Sequence, residues 1–256
     1  MNIAIVTGAS SGLGAAFADE MNTALYDEVW LVARREERLK EFAERDSRCV
    51  PVVLDLCSEA DINKLTSLLN TKGAEISLLI NCAGMGKRGD FEGNTARDIS
   101  ATMDLNCRSL ALVTHACLPY MKENSGIINI SSSAAFLPQP GFNIYAASKS
   151  FVLNFSRALA YELKSRKINV TCVCPGPINT EFLGKALGNP DAQFTGIRAL
   201  CVADPHKLAA KSLKCNRNGR KLLVYGFMQK LLHFASKLVP TDVILFFETS
   251  VFKING

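Results

Sequence analysis

Tyr145-Ala146-Ala147-Ser148-Lys149 sets a phenol and an ammonium four residues apart. Apolar residues at Phe151, Val152, Phe155 and Leu159 carry a helical period beyond it, so both side chains are expected on one helix face. A phenol ordinarily titrates at about pH 10, too high for ready proton exchange at neutrality. A positive charge beside it favours the phenolate, and a tyrosine tuned in this way can protonate a carbonyl oxygen or deprotonate a hydroxyl. Taken alone, the spacing also describes an ordinary surface helix pair.

A second chemical feature lies near the start of the chain. Thr7-Gly8-Ala9-Ser10-Ser11-Gly12-Leu13-Gly14 follows the apolar run 3–6 and opens a segment of helical period. A strand-to-helix turn of this kind aims backbone N–H groups and the positive end of a helix at an anion. Glycine lets the main chain approach a diphosphate closely and adopt positive φ. The spacing is T-G-x-x-x-G-x-G rather than G-x-G-x-x-G. Gly8, Ser10, Ser11, Gly12, Leu13 and Gly14 are the residues expected to meet the nucleotide.

These groups need a frame. Apolar runs at 3–6, 29–33, 50–54, 78–80, 127–130, 170–173 and 222–225 alternate with helical segments long enough for crossovers. Near-continuous apolar strands joined in this way predict a parallel sheet covered on both faces. The expected fold class is α/β, a doubly wound parallel sheet (Rossmann fold) of about seven strands with extra C-terminal helices, built as one domain over residues 1–256. Residues 180–205 break the rhythm. Gly184, Gly188, Pro190 and Gly196 alternate there with Phe182, Leu183, Leu187, Phe194 and Leu200, a composition that suits a lid or an ordinary connector. Two further amphipathic helices are expected in the extension 227–256, at 227–238 and 241–253, and packing on the main domain is their default role.

Composition narrows the class. Nine cysteines form no CxxC pair and no zinc-ligand spacing, which points to a reducing, cytoplasmic setting. No apolar stretch reaches the 18 or so residues of a membrane span. His115, His206 and His233 join no catalytic motif, and no metal is expected. Net charge is +5, but from Pro205 onward nine Lys/Arg face only Asp242 and Glu248. Such a segment is either a solvated face or an attraction for acidic partners or lipid surfaces. Nothing marks a nucleic-acid partner.

The glycine turn, the Tyr145–Lys149 pair and four further motifs, all in the expected order, resemble the short-chain dehydrogenase/reductase family over nearly the whole chain. Asn81-Cys82-Ala83-Gly84 is similar to the family's N-N-A-G, with Cys82 in place of an asparagine. Pro175-Gly176-Pro177-Ile178-Asn179-Thr180 resembles its P-G-x-x-x-T. The resemblance implies that Asp55 and Leu56 lie at the adenine, and that Asn81, Ala83 and Gly84 line the cofactor. It also implies that Pro175, Gly176, Ile178 and Thr180 hold the nicotinamide carboxamide. Tyr145 becomes the general acid/base, with Lys149 beside it and also touching the cofactor. Ser132, thirteen residues before Tyr145, would hold the reacting oxygen, and Asn106 would relay protons through water to Lys149.

The expected reaction interconverts a ketone and a secondary alcohol by hydride transfer from NAD(P)H. The second strand ends Ala33-Arg34-Arg35 with no acid before Glu36, which favours NADP, with Arg34 ahead of Arg35 as phosphate contact and NAD as an alternative. Met85, Ala134, Phe142 and Phe182, with Leu183 and Leu187, are expected to wall an apolar pocket, and Lys87 and Arg88 to lie near its rim. The pattern is closest to members acting on hydroxysteroids or long-chain 3-oxoacyl groups. A homodimer or homotetramer is implied. The alternative is a non-catalytic NADP-sensing regulator on the same scaffold, which would have no need of the Tyr145–Lys149 pair.

Overall fold

The computed structural model describes residues 1–189 and 202–251. Pro190, Phe194, Gly196 and Leu200 of the expected lid, and residues 252–256, lie outside the described residues. The elements run β1 (Asn2–Thr7), α1 (Gly12–Glu20), β2 (Glu28–Ala33), α2 (Glu36–Arg45), β3 (Cys49–Val53), α3 (Glu59–Thr71) and β4 (Glu75–Asn81). They continue with α4 (Ala96–Met103), α5 (Leu110–Cys117), β5 (Met121–Ile130), α6 (Asn143–Glu162), β6 (Asn169–Pro175) and α7 (Glu181–Leu187). The described chain closes with α8 (Pro205–Arg217), β7 (Leu222–Tyr225), α9 (Phe227–Leu238) and α10 (Thr241–Val251).

The seven strands form one parallel sheet in the order β3-β2-β1-β4-β5-β6-β7. The chain winds outward from β1 to β3, then returns to the other side of β1 to start β4. That reversal leaves a crevice at the carboxyl ends of β1 and β4, where ligands of such sheets bind. Each strand's two-residue period feeds two cores. Ala4 and Val6 face Phe17, Leu31, Leu39 and Leu208 under α1, α2 and α8, whereas Ile3 and Ile5 face Trp30, Leu65, Val113 and Leu159 under α3, α5 and α6. Burying a side chain such as Ile5 is worth about 1.5–3 kcal/mol, so the unbroken apolar runs follow directly from double coverage.

Three features depart from the expected pattern. β5 begins at Met121, six residues before its apolar run, and the polar Lys122-Glu123-Asn124 stretch bulges with Asn124 at φ 66°. Between α4 and α5 the chain passes through a π turn, Asp104–Ser109. Ser109 Oγ there donates to the Leu56 carbonyl at 2.6 Å, so tertiary hydrogen bonding replaces regular helix geometry. Helix α9 matches its expected bounds but packs the other way round. It meets the domain through Gln229 and His233, while its apolar side faces outward. No helix among the described residues is long and apolar enough to cross a membrane.

Candidate active site

Thr7, the last residue of β1, pins the crevice open. Its Oγ1 donates to the Ile80 carbonyl at 3.3 Å and accepts from the Cys82 and Ala83 N–H groups at 3.0 and 3.2 Å. The glycine turn therefore packs directly on the end of β4. Gly8 sits at φ 69°, and a Cβ on it would stand 2.8 Å from the Ala83 Cα. A Cβ on Gly14 would meet the Gly8 carbonyl oxygen at 2.2 Å. Ser11 caps α1 without a side-chain hydrogen bond, and no acidic residue stands in the first turn. The first amides of α1 are thus left for an outside anion.

The turn forms one end of a cleft of about 1130 Å³ that reaches Tyr145 at the other. Gly8, Ser10, Ser11, Gly12, Leu13 and Gly14 line it, together with Arg34, Arg35, Asp55, Leu56, Ala83 and Gly84. Pro175, Gly176, Ile178 and Thr180 form the facing wall. Glycine backbone lining the cleft, uncapped helix amides and the cleft's length fit a dinucleotide. Asn81 lies apart from this set. It is buried beneath the cleft, where its amide donates to Thr114 Oγ1 and Asn129 Oδ1, each at 2.9 Å.

The two arginines differ sharply. Arg35 is held in place, donating to Ser10 Oγ and to the Ser10 carbonyl at 3.2 Å and to Glu181 Oε2 at 2.8 Å. Arg34 is 74% exposed, with Asp55 as a partner at 4.0 Å. Its guanidinium is therefore less held than that of Arg35. Asp55 is also engaged at the loop itself, where Oδ1 accepts from the Cys57 N–H at 3.0 Å.

At the reacting end, α6 carries Tyr145 and Lys149 into the domain, both buried. Ser132 ends the extended segment after β5, its Oγ accepts from the Ala134 N–H at 3.1 Å, and it lines the cleft together with Tyr145. Burial pushes the phenol up to about 12, an effect only partly offset by the neighbouring Ser132 hydroxyl. Lys149 Nζ donates to the Ile130 carbonyl at 3.0 Å and lies 5.7 Å from the Tyr145 ring centre. Burial pulls its ammonium below the usual lysine range. The sequence led us to expect an ammonium that lowers the phenol. Desolvation instead dominates both groups and disfavours both charged forms.

Asn106 sits in the π turn, almost wholly buried. Its Oδ1 accepts from the Met85 N–H at 2.9 Å, and its Nδ2 donates to the Met85 carbonyl at 2.8 Å and to Ser148 Oγ at 2.9 Å. A Cβ on Gly84 would stand 3.2 Å from both Asn106 Oδ1 and Lys149 Nζ, so the two side chains converge on one glycine. Ser131 Oγ donates to the Lys149 carbonyl at 2.7 Å and ties β5 to α6.

The remaining wall is apolar. Phe142 stacks on Tyr145 at 4.3 Å, Phe182 tilts against it at 5.4 Å, and Ala134 completes the cluster. Met85, Leu183 and Leu187 line the same cleft, with Lys87, Arg88 and Arg97 among its polar residues. Two features escaped the sequence reading. Gly86 lies against the phenol, where a Cβ would meet Tyr145 Cδ2 at 2.6 Å. Cys82, Cys107, Cys172 and Cys174 surround Lys149 closely enough to act on its charge, and the Sγ atoms of the last two lie 3.9 Å apart.

Residues 2–190 match the short chain dehydrogenase family. The chain is 35% identical over 192 residues to sulfoacetaldehyde reductase 2 of Chromohalobacter salexigens, covering 71% of this chain and 74% of that protein. It is 32% identical over 233 residues to a serine 3-dehydrogenase of Rhizobium radiobacter, covering 86% and 92%. A short-chain dehydrogenase from Sphingobium yanoikuyae, solved in complex with NADPH, is similar with a TM-score of 0.77 at 29% identity, over 100% of this chain and 97% of that one. The chain belongs to the short-chain dehydrogenase family and is an oxidoreductase acting on the alcohol/carbonyl pair.

Proposed function

We propose that the protein uses NADP(H), with NAD(H) as a weaker alternative, to interconvert a ketone and a secondary alcohol on an apolar substrate, steroid-like or long-chain acyl. The observation that carries this reading is the meeting of buried Tyr145 with Ser132 at the apolar end of the cleft, with Lys149 buried behind it. A bound nicotinamide dinucleotide would supply the hydride that becomes the new C–H bond, or accept it in reverse. Ser132 holds the carbonyl oxygen by a hydrogen bond. Tyr145 donates its phenolic proton to that oxygen as negative charge develops there, and takes it back in the oxidative direction. Lys149 and Asn106, convergent at Gly84, begin the path by which the phenol regains its proton.

NADP preference is supported by exposed Arg34 and by the absence of an acid at the end of β2. The similar Sphingobium enzyme was solved with NADPH. Eight free cysteines among the described residues accord with a reducing cytoplasm. One catalytic domain is proposed, assembled as a homodimer or homotetramer, and Phe151 on α6, exposed and stacked on half-buried Phe155, supports such a contact.

A second reading is favoured by Arg88 and Arg97 in the cleft lining and by two relatives named for small charged substrates, sulfoacetaldehyde and serine. The deciding experiment follows NADPH and NADH turnover against ketosteroids, 3-oxoacyl thioesters, sulfoacetaldehyde and, in the oxidative direction, serine, with Tyr145→Phe alongside. Turnover of the apolar carbonyls that collapses by about 10²–10⁴-fold in the variant supports the proposal. Far better turnover of the small charged compounds overturns the apolar assignment. Activity surviving Tyr145→Phe overturns the proton donor.

A further inference from the structure

We propose that α9 docks the protein on an anionic lipid surface, lying in the interface plane with its apolar side down. The helix is turned inside out. At 3.6 residues per turn, Phe227, Leu231, Phe234 and Leu238 fall within an arc of about 60°. They are 81%, 52%, 62% and 67% exposed. The opposite side, not this one, meets the protein. Gln229 is buried between Gly176 and Gly226, so close that a Cβ on Gly176 would stand 2.2 Å from its Nε2, and the His233 ring rests 4.3 Å from that of Phe136. A surface helix ordinarily buries its apolar stripe and shows its polar one. Scattered exposed apolar residues need no explanation, but a continuous stripe marks a contact.

Charge selects the occupant. Lys230 and Lys237 flank the stripe on one side, both exposed, and α9 contains no acidic residue. Lysine stems lie along apolar surface while their ammonium groups reach outward, the arrangement that suits lipid tails beside acidic headgroups. A second copy of the chain suits it poorly. Antiparallel pairing of α9 with its own copy would bring two lysine rows together with no carboxylate on either helix to neutralise them. From Pro205 onward the chain carries nine basic residues against two acidic ones, which adds long-range attraction to an anionic surface. At twelve residues, α9 spans about 18 Å, too short to cross a bilayer but long enough to lie along one.

The test sediments the full chain with vesicles of phosphatidylcholine alone, or with about a third phosphatidylglycerol, at low salt and at about 1 M salt, where screening acts within about 3 Å. The expected result is sedimentation with the anionic vesicles, weakened at high salt. L231E with F234E should abolish it, and K230E with K237E should weaken it by about tenfold or more. All four positions are exposed, so melting temperature and dinucleotide binding should stay at wild-type values. Wild-type protein left in the supernatant with anionic vesicles overturns the proposal. So does equal sedimentation of L231E/F234E, or a light-scattering mass that falls by half in that variant, which would assign the stripe to a second copy.

Discussion

Arg35 and Glu181, 146 residues apart, form a 2.8 Å ion pair that fastens the start of α7 to the end of β2 beside the glycine turn. The same guanidinium grips Ser10, so the turn, the second strand and the first helix after β6 meet at one side chain. Replacing Glu181 by Gln frees that helix from the turn. Both partners are 40% exposed, so the pair is worth about 0–1 kcal/mol. The expected outcome is a KM for dinucleotide raised by about fivefold or less, with kcat unchanged, read from steady-state kinetics. A fall in kcat at constant KM would give the pair a role in the chemical step instead.

Arg34 is the position where cofactor choice should respond. If Arg34 meets the 2′-phosphate as proposed, Arg34→Asp removes a charge-assisted contact worth about 1.5–3 kcal/mol and sets a carboxylate against it. The ratio of kcat/KM for NADPH over NADH should fall by about tenfold or more. Arg35→Ala provides the contrast, loosening the turn and so weakening both cofactors. An unchanged ratio in Arg34→Asp would remove Arg34 from selectivity.

Gly86 should tolerate no side chain. In Gly86→Ala the new methyl would meet Tyr145 Cδ2 at 2.6 Å and Phe142 Cζ at 3.0 Å. Overpacking of this kind costs about 1–3 kcal/mol, visible as a lower melting temperature. Displacing the phenol should also lower kcat by about 10²-fold, the cost of a misplacement of about 1 Å. Wild-type kcat in this variant would show that the ring has room to move.

The pH response follows from the phenol held at about 12. Its protonated form persists from neutral into alkaline solution, so the reductive rate should not fall through loss of the donor below pH 10. Oxidation needs the phenolate and should climb over the same range. Stability carries the opposite sign. Between the ordinary value of about 10 and the folded value the native state keeps a proton that the unfolded chain has lost, so stability falls as pH rises through that window. Denaturant titrations at several alkaline pH values should show a shallower decline in Tyr145→Phe than in the wild type. An equal decline would assign the alkaline loss to other groups.

Much of this architecture was legible because burial on both faces of a parallel sheet writes itself as unbroken apolar runs. Glycine at 8 and 14 was legible for a similar reason, since close backbone packing admits nothing else, and at 12 because φ is 57°. The π turn was not. Asp104-Leu105-Asn106 reads as ordinary helix, and only the reach of Ser109 to the Leu56 carbonyl and of Asn106 to Met85 accounts for the extra residue. Asn81 matched a motif, yet its amide turned inward to Thr114 and Asn129, contacts formed only once three elements are assembled. In α9 the period gave the helix and its two sides. Which side meets the domain depends on the fit of Gln229 between two glycines, and no periodicity encodes that. The resemblance to hydroxysteroid and 3-oxoacyl enzymes rested on the overall pattern, the 81–86 stretch and the C-terminal extension, features that do not fix a subtype.

The thiols give the molecule a built-in chemical clock. Six of the eight described cysteines are buried, and Cys107, Cys172 and Cys174 lie in the shell around Lys149. A thiol reagent reaches such groups only during openings of the surrounding structure, so labelling rates report how often each region opens. Cys49 under α2 and Cys215 on α8 sample the far core, whereas the shell thiols sample the reacting end. Timed alkylation read by mass spectrometry would therefore measure, without any introduced probe, whether occupying the cleft quiets the catalytic end alone or the whole sheet.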